Sequence, residues 1–116
     1  MKRRFFLFVI LLVLMLSFTA HAASMAYVAN PSLSFSGTTA YCAVVCRGDK
    51  TTDTISATLT LYQGNTQIDS WSNSGTFRVP VSGNCSVVSG VTYRLKLSWS
   101  VNGVSQPDVE VYDTCP

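Results

Sequence analysis

Between Thr92 and Val101 the residues change character at every step. Tyr93, Leu95, Leu97, Trp99 and Val101 fall on one side, and Thr92, Arg94, Lys96, Ser98 and Ser100 on the other. A period of two is the side-chain repeat of extended chain, whereas a helix needs apolar residues three and four apart. The stretch therefore specifies a strand with one buried and one solvated face. Ile55, Ala57, Leu59 and Leu61 alternate in the same way with Thr54, Ser56, Thr58 and Thr60, which predicts a second such strand over 53–62. Leu33 and Phe35 alternate with serines, and Ala40, Cys42, Val44 and Cys46 share one face of another strand.

The segments between these runs carry turn chemistry. Asn102-Gly103 follows the long strand directly, and both residues accept positive φ, so the pair predicts a tight hairpin that folds Val104 onward against 92–101. Ser36-Gly37 and Gln63-Gly64-Asn65 predict two more reversals. Asn73-Ser74-Gly75 predicts a turn out of the strand begun at Thr66 and into one carrying Phe77, Val79 and Val81, with Pro80 outward on a sheet edge. Ser82-Gly83-Asn84 and Ser89-Gly90 punctuate the chain between that strand and Thr92. About seven strands joined by short polar turns predict an all-β, antiparallel two-sheet sandwich rather than a closed barrel.

Ahead of the strands, Met1-Lys2-Arg3-Arg4 is basic, Phe5 to Leu16 is unbroken apolar sequence, and Ala20-His21-Ala22 has small residues where a signal peptidase cuts. Residues 1–22 are expected to be a signal peptide cleaved after Ala22, leaving residues 23–116 as a single secreted domain with no stable membrane anchor. The apolar run is shorter than the roughly 20 residues a membrane span requires. Three of the 8 lysines and arginines lie in the leader, so the exported part sets 5 bases against 6 acids. The basic balance of the whole chain belongs to the leader. Without a basic stripe interleaved with aromatics, no nucleic-acid partner is expected.

Cys42, Cys46, Cys85 and Cys115 all lie in the exported part, where the oxidising environment predicts two disulfides. Cys42 and Cys46 stand four apart on one strand face, roughly 13 Å at about 3.3 Å per residue, too far to bond each other in a regular strand. Cys42 with Cys115 and Cys46 with Cys85 is the preferred arrangement, and exchanging the partners is the alternative. A rival joins Cys85 to Cys115, because the hairpin at Asn102-Gly103 returns Cys115 to the neighbourhood of Gly90, and leaves Cys42 and Cys46 to pair across a distorted strand. The spacing is not that of paired zinc knuckles.

The sole histidine, His21, is in the leader, so Ser/His/Asp and Cys/His nucleophilic sites have no base in the exported part. Asp108, Glu110 and Asp113 could form an acidic cluster, but an acidic outer face on the last strand is the simpler reading, and no calcium-loop spacing accompanies them. No glycine-rich phosphate loop is present. The expectation is a non-enzyme with no catalytic residues, no cofactor and no metal site. Arg47-Gly48-Asp49 matches the integrin-binding tripeptide of some fibronectin type III domains and makes a candidate adhesion loop, although Gly-Asp is also ordinary turn chemistry. Tyr62 and Tyr112 lie on predicted wet faces and are the candidate binding aromatics for an extracellular protein or carbohydrate. Trp99 is expected in the core.

Gly90-Val91-Thr92-Tyr93-Arg94-Leu95 resembles the entry to the penultimate strand of fibronectin type III and immunoglobulin-like domains, where a tyrosine ties the corner back to the backbone. Ser34 to Ala40, Ile55 to Gly64, Ser70 to Gly75, and Gly90 to Leu95 with Val101-Asn102-Gly103 together resemble a group of uncharacterised small secreted β-sandwich proteins of clostridia-like Gram-positive bacteria. The resemblance implies a sandwich fold and an extracellular location, and carries no activity. The expected role is surface binding or an envelope-associated structural unit. The alternative is a small secreted effector, an inhibitor or antimicrobial factor, acting through a loop near Arg47 to Asp53.

Overall fold

The computed structural model describes residues 27–116; the expected leader and its cleavage site lie outside the described residues. In chain order the strands are β1 (Val28–Ala29), β2 (Ser32–Ser36), β3 (Thr39–Arg47), β4 (Thr54–Gln63), β5 (Thr66–Thr76), β6 (Arg78–Ser86), β7 (Thr92–Val101), β8 (Val104–Ser105) and β9 (Val109–Thr114). All pairings are antiparallel, and there is no helix among the described residues. One sheet holds β1, β2, β3 and β6, and the other holds β4, β5, β7, β8 and β9.

The short strands are pieces of longer ones. β1 and β2 pair with β3 in one continuous register, Val28 opposite Arg47 and Ser36 opposite Thr39, interrupted only at Asn30-Pro31. β8 and β9 likewise line one edge of β7. Counted so, the sandwich has seven strands, three in the first sheet and four in the second. A constant-type immunoglobulin domain puts four in the first sheet. Here the fourth strand, β5, pairs with β4 in the second.

The alternation read from the sequence is the inside–outside pattern of the sheets. Ala40, Cys42, Val44, Cys46, Val79 and Val81 from the first sheet face Ile55, Ala57, Leu59, Leu61, Leu95, Leu97, Trp99 and Val101 from the second, all buried. Smaller residues on the first sheet meet mostly larger ones on the second, so the two inner faces interdigitate. At the lower end Phe35 meets Tyr93 across the sheets, ring centres 6.0 Å apart. The Tyr93 hydroxyl accepts a bond from the Val88 amide at 2.8 Å, which is the corner tie expected from Gly90 to Leu95. Asn102 and Gly103 both take positive φ, as the hairpin requires.

Two turn expectations are corrected. Asn73-Ser74-Gly75 does not turn; it pairs with Ala57, Ser56 and Ile55 in the interior of β5. The reversal comes at Phe77, whose φ is +63°. Ser82-Gly83-Asn84 lies inside β6, opposite Ala43, Cys42 and Tyr41. A backbone that gains ladder hydrogen bonds along its whole length overrides local turn preference. Pro80 does sit outward on an edge strand, for β6 pairs only with β3.

The preferred disulfide arrangement is corrected too. Cys46 stands opposite Val79, and Cys85 lies six residues further along β6, a separation of about 20 Å. The Cys115 sulfur is 3.4 Å from the Gly37 carbonyl oxygen, at the far end of β3 from Cys46, which makes the exchanged arrangement longer still, on the order of 25–30 Å. Cys42 and Cys46 occupy a regular strand, so the rival fails as well, although the Gly90 amide does donate to the Cys115 carbonyl at 2.7 Å. No arrangement of two intrachain bridges fits, because each requires a partner for Cys46. All four cysteines are unbonded thiols. Cys42 and Cys85 come nearest: diagonal neighbours on the core face of β3 and β6, with Cα atoms about 7–8 Å apart in such a pair.

Candidate functional site

Tyr62 in β4 stands opposite Arg94 in β7, and Arg94 stands opposite Tyr112 in β9. Because directly paired residues share a face, the two tyrosines singled out from the sequence flank one arginine in a single row on the outer face of the second sheet. Gln67 of β5 continues the row. The Arg94 guanidinium carbon lies 4.4 Å from the centre of the Tyr62 ring, a cation–π contact. Its Nη1 pairs with Glu110 Oε1 at 3.1 Å. The Tyr112 hydroxyl donates to Glu110 Oε2 at 3.3 Å, and Lys96 pairs with Asp108 at 3.4 Å. Arg94 is thus held by a ring on one side and a carboxylate on the other, and its charge is neutralised in place.

Beyond these ion pairs the surroundings are rich in hydroxyls. Thr60 bonds Ser70 at 3.2 Å, Thr58 bonds Ser72 at 2.8 Å, and Thr92 bonds Thr114 at 2.7 Å. An open hollow of about 380 Å³ adjoins the row, lined by Gly64, Asn65, Thr92, Tyr93, Arg94 and Tyr112. Tyr112 is 65 % exposed, so its ring is free to receive a ligand. A bulge shapes the platform: Asp69 faces Leu61 while Gln67 faces Tyr62, leaving Ile68 unpaired. Bulges raise the local twist of a sheet and re-aim neighbouring side chains.

The Arg47-Gly48-Asp49 segment is at the other end of the sandwich. Asp53, 5 % exposed, organises it. Its Oδ2 accepts the Asp49 and Lys50 amides at 2.9 Å each, and its Oδ1 accepts Asn102 Nδ2 at 2.9 Å. Those bonds, the Lys50 amide first and then Asn102, hold the carboxyl below the ordinary aspartate range against the opposing effect of burial. A Cβ on Gly48 would meet Asp53 Cβ at 2.8 Å, so packing accounts for this glycine. Gly48 also donates to the Phe77 carbonyl at 2.7 Å. The loop is pinned against the domain, and Arg47 belongs to β3 rather than to a free tip.

Asp108 and Glu110 are occupied by Lys96 and Arg94, and Asp113 caps the Thr114 amide at 2.8 Å. The cysteines are packing residues here. Burial first, then the neighbouring Cys85 and Asp69, pushes the Cys42 thiol up to about 12, and burial raises Cys46 to about 11. Protonated thiols are poor nucleophiles. Sequence reasoning placed Tyr62 and Tyr112 on wet faces and missed Arg94 between them, since the register of β4, β7 and β9 is what aligns the three. No protein-family model matches this chain, and no curated protein matches it.

Proposed function

We propose that the chain is exported after cleavage behind Ala22 and works outside the cell as a non-enzymatic module that binds carbohydrate through the row Tyr62–Arg94–Tyr112. The observation that carries this reading is the alignment of two outward tyrosines about a charge-neutralised arginine, on a face that otherwise carries hydroxyls, amides and one further ion pair, Lys96 with Asp108. Aromatic faces take the apolar C–H surface of a sugar ring, and the flanking polar groups satisfy its hydroxyls. A protein partner would be expected to meet a larger exposed apolar patch. The lack of histidine in residues 23–116 and the ion-paired acids support a binding role over hydrolysis. The effector alternative draws no support from the loop near Arg47 to Asp53, which is pinned rather than protruding. The resemblance to secreted clostridial proteins points to the bacterial envelope as the setting.

The test is retention of the exported chain on insoluble cell-wall polysaccharide. Wild type should be retained and eluted by soluble fragments of the same polymer, while Tyr112→Ala should lose at least tenfold in affinity without loss of thermal stability. Equal retention of wild type and of the double variant Tyr62→Ala/Tyr112→Ala would end the proposal.

A further inference from the structure

The bases outside the leader are not treated alike. Arg94 and Lys96 each have a carboxylate partner. Arg47 and Arg78 have none among the described residues, and they stand directly opposite each other in β3 and β6. The Gly48 amide donates to the Phe77 carbonyl, the bond that flanks Arg47–Arg78 on one side, while the Phe77 amide donates to the Asp53 carbonyl. Antiparallel ladders alternate, and the adjoining Arg47–Arg78 pair is therefore of the closer, non-hydrogen-bonded kind, with Cα atoms about 4.5 Å apart. Like charges directly opposite in that position repel. Both side chains are exposed on the outer face of the first sheet, away from the tyrosine row in sheet and in end.

The position is also held under backbone strain. Phe77, immediately before Arg78, has φ of +63° and remains 38 % exposed; a bulky residue in that region is a genuine outlier, of the kind that collects at ligand sites. On the other side Val28 pairs with Arg47, and an open hollow of about 370 Å³ lined by Val28, Asn30, Val45 and Arg47, but not by Arg78, adjoins Arg47 there.

We propose that Arg47 and Arg78 bind a doubly charged oxyanion of the phosphate class. Two guanidinium forks on neighbouring strands present more N–H donors than one carboxylate can accept, and a dianion with three or four oxygens neutralises both. The repulsion that the free protein carries becomes an attraction once the anion bridges the pair. Asp49 is the nearby carboxylate in sequence, but its side chain pairs with neither arginine and its amide is committed to Asp53. This site is independent of the carbohydrate reading.

The test is a titration of the isotope-labelled exported chain with inorganic phosphate and, separately, with tripolyphosphate, followed by NMR. Matched sodium chloride is the control. The Arg47 and Arg78 side-chain signals and the amides of Gly48, Phe77 and Arg78 should shift, chloride should not shift them, and Arg78→Gln should weaken binding at least tenfold while Lys96→Gln leaves it unchanged. Tighter binding of tripolyphosphate supports the site with a phosphorylated polymer as the source; equal binding supports it with the free ion. A second readout is stability: Arg78→Thr should melt higher than wild type without phosphate, and phosphate should raise the wild type alone. Wild-type behaviour from both Arg47→Gln and Arg78→Gln, or the same shifts with chloride, overturns the proposal.

Discussion

Gly83 has no side chain, and the indole of Trp71 fills the space where one would stand. The glycine is there for close approach between β5 and β6, the two strands whose edges meet on one side of the sandwich. Gly83→Ala should therefore destabilise by about 1–3 kcal/mol, the cost of forcing a filled site apart, and should shift Trp71 emission to the red as the ring is displaced. Unchanged stability in a urea titration would show that the ring has room to move. Asp53 makes a second prediction at this scale. Its unfolded carboxyl titrates near 3.9, its folded carboxyl lower, so the unfolded state takes up the proton first. The stabilisation is complete above the unfolded value and is lost as pH falls through the folded one. Melting temperatures measured between pH 6 and 2.5 should fall more steeply for wild type than for Asp53→Asn; parallel curves would assign the acid sensitivity elsewhere.

At the level of elements, the turn between β6 and β7 depends on Tyr93. Its ring is buried between the sheets, and its hydroxyl holds the Val88 amide. Tyr93→Phe keeps the packing and removes the bond, which should cost about 1–2 kcal/mol. The variant should retain the wild-type circular dichroism spectrum, and hydrogen exchange should quicken first at Val88. This corner was legible from Gly90 to Leu95, because a tyrosine three residues after a glycine at a strand entry acts over a short stretch of chain. The course of β5 was not legible. Asn73-Ser74-Gly75 has the composition of a turn, and only pairing with β4 holds it extended, with Asn73 reaching across to the Pro80 carbonyl at 2.8 Å. A glycine inside a strand does signal close approach, and that signal at Gly83 could have been read before the structure.

Across the whole molecule the cysteines divide by position rather than by pairing. Cys46 lies at one end of β3, Cys115 beside the opposite end, and Cys42 with Cys85 between them. The chain should contain at most one intrachain disulfide. Denaturation without reductant in the presence of an alkylating agent, followed by peptide mass mapping, should find Cys46 alkylated in every molecule. An intrachain bridge to Cys46 would require a different register for β3. The charges follow the same logic of placement: two bases are neutralised on the second sheet, and two are set against each other on the first.

By itself the sequence determined which residues face inward, that the chain is built from antiparallel strands, and where the tight hairpin at Asn102-Gly103 and the tyrosine corner fall. Those features depend on a side-chain period of two and on φ preferences, both properties of a few adjacent residues. Only the tertiary structure decided that Tyr62, Arg94 and Tyr112 share a row, that Arg47 meets Arg78, and that Cys46 has no partner within reach. Each of these depends on the register between strands distant in the chain. Register is set by the fit of two whole faces in the core, and no local stretch of sequence contains it.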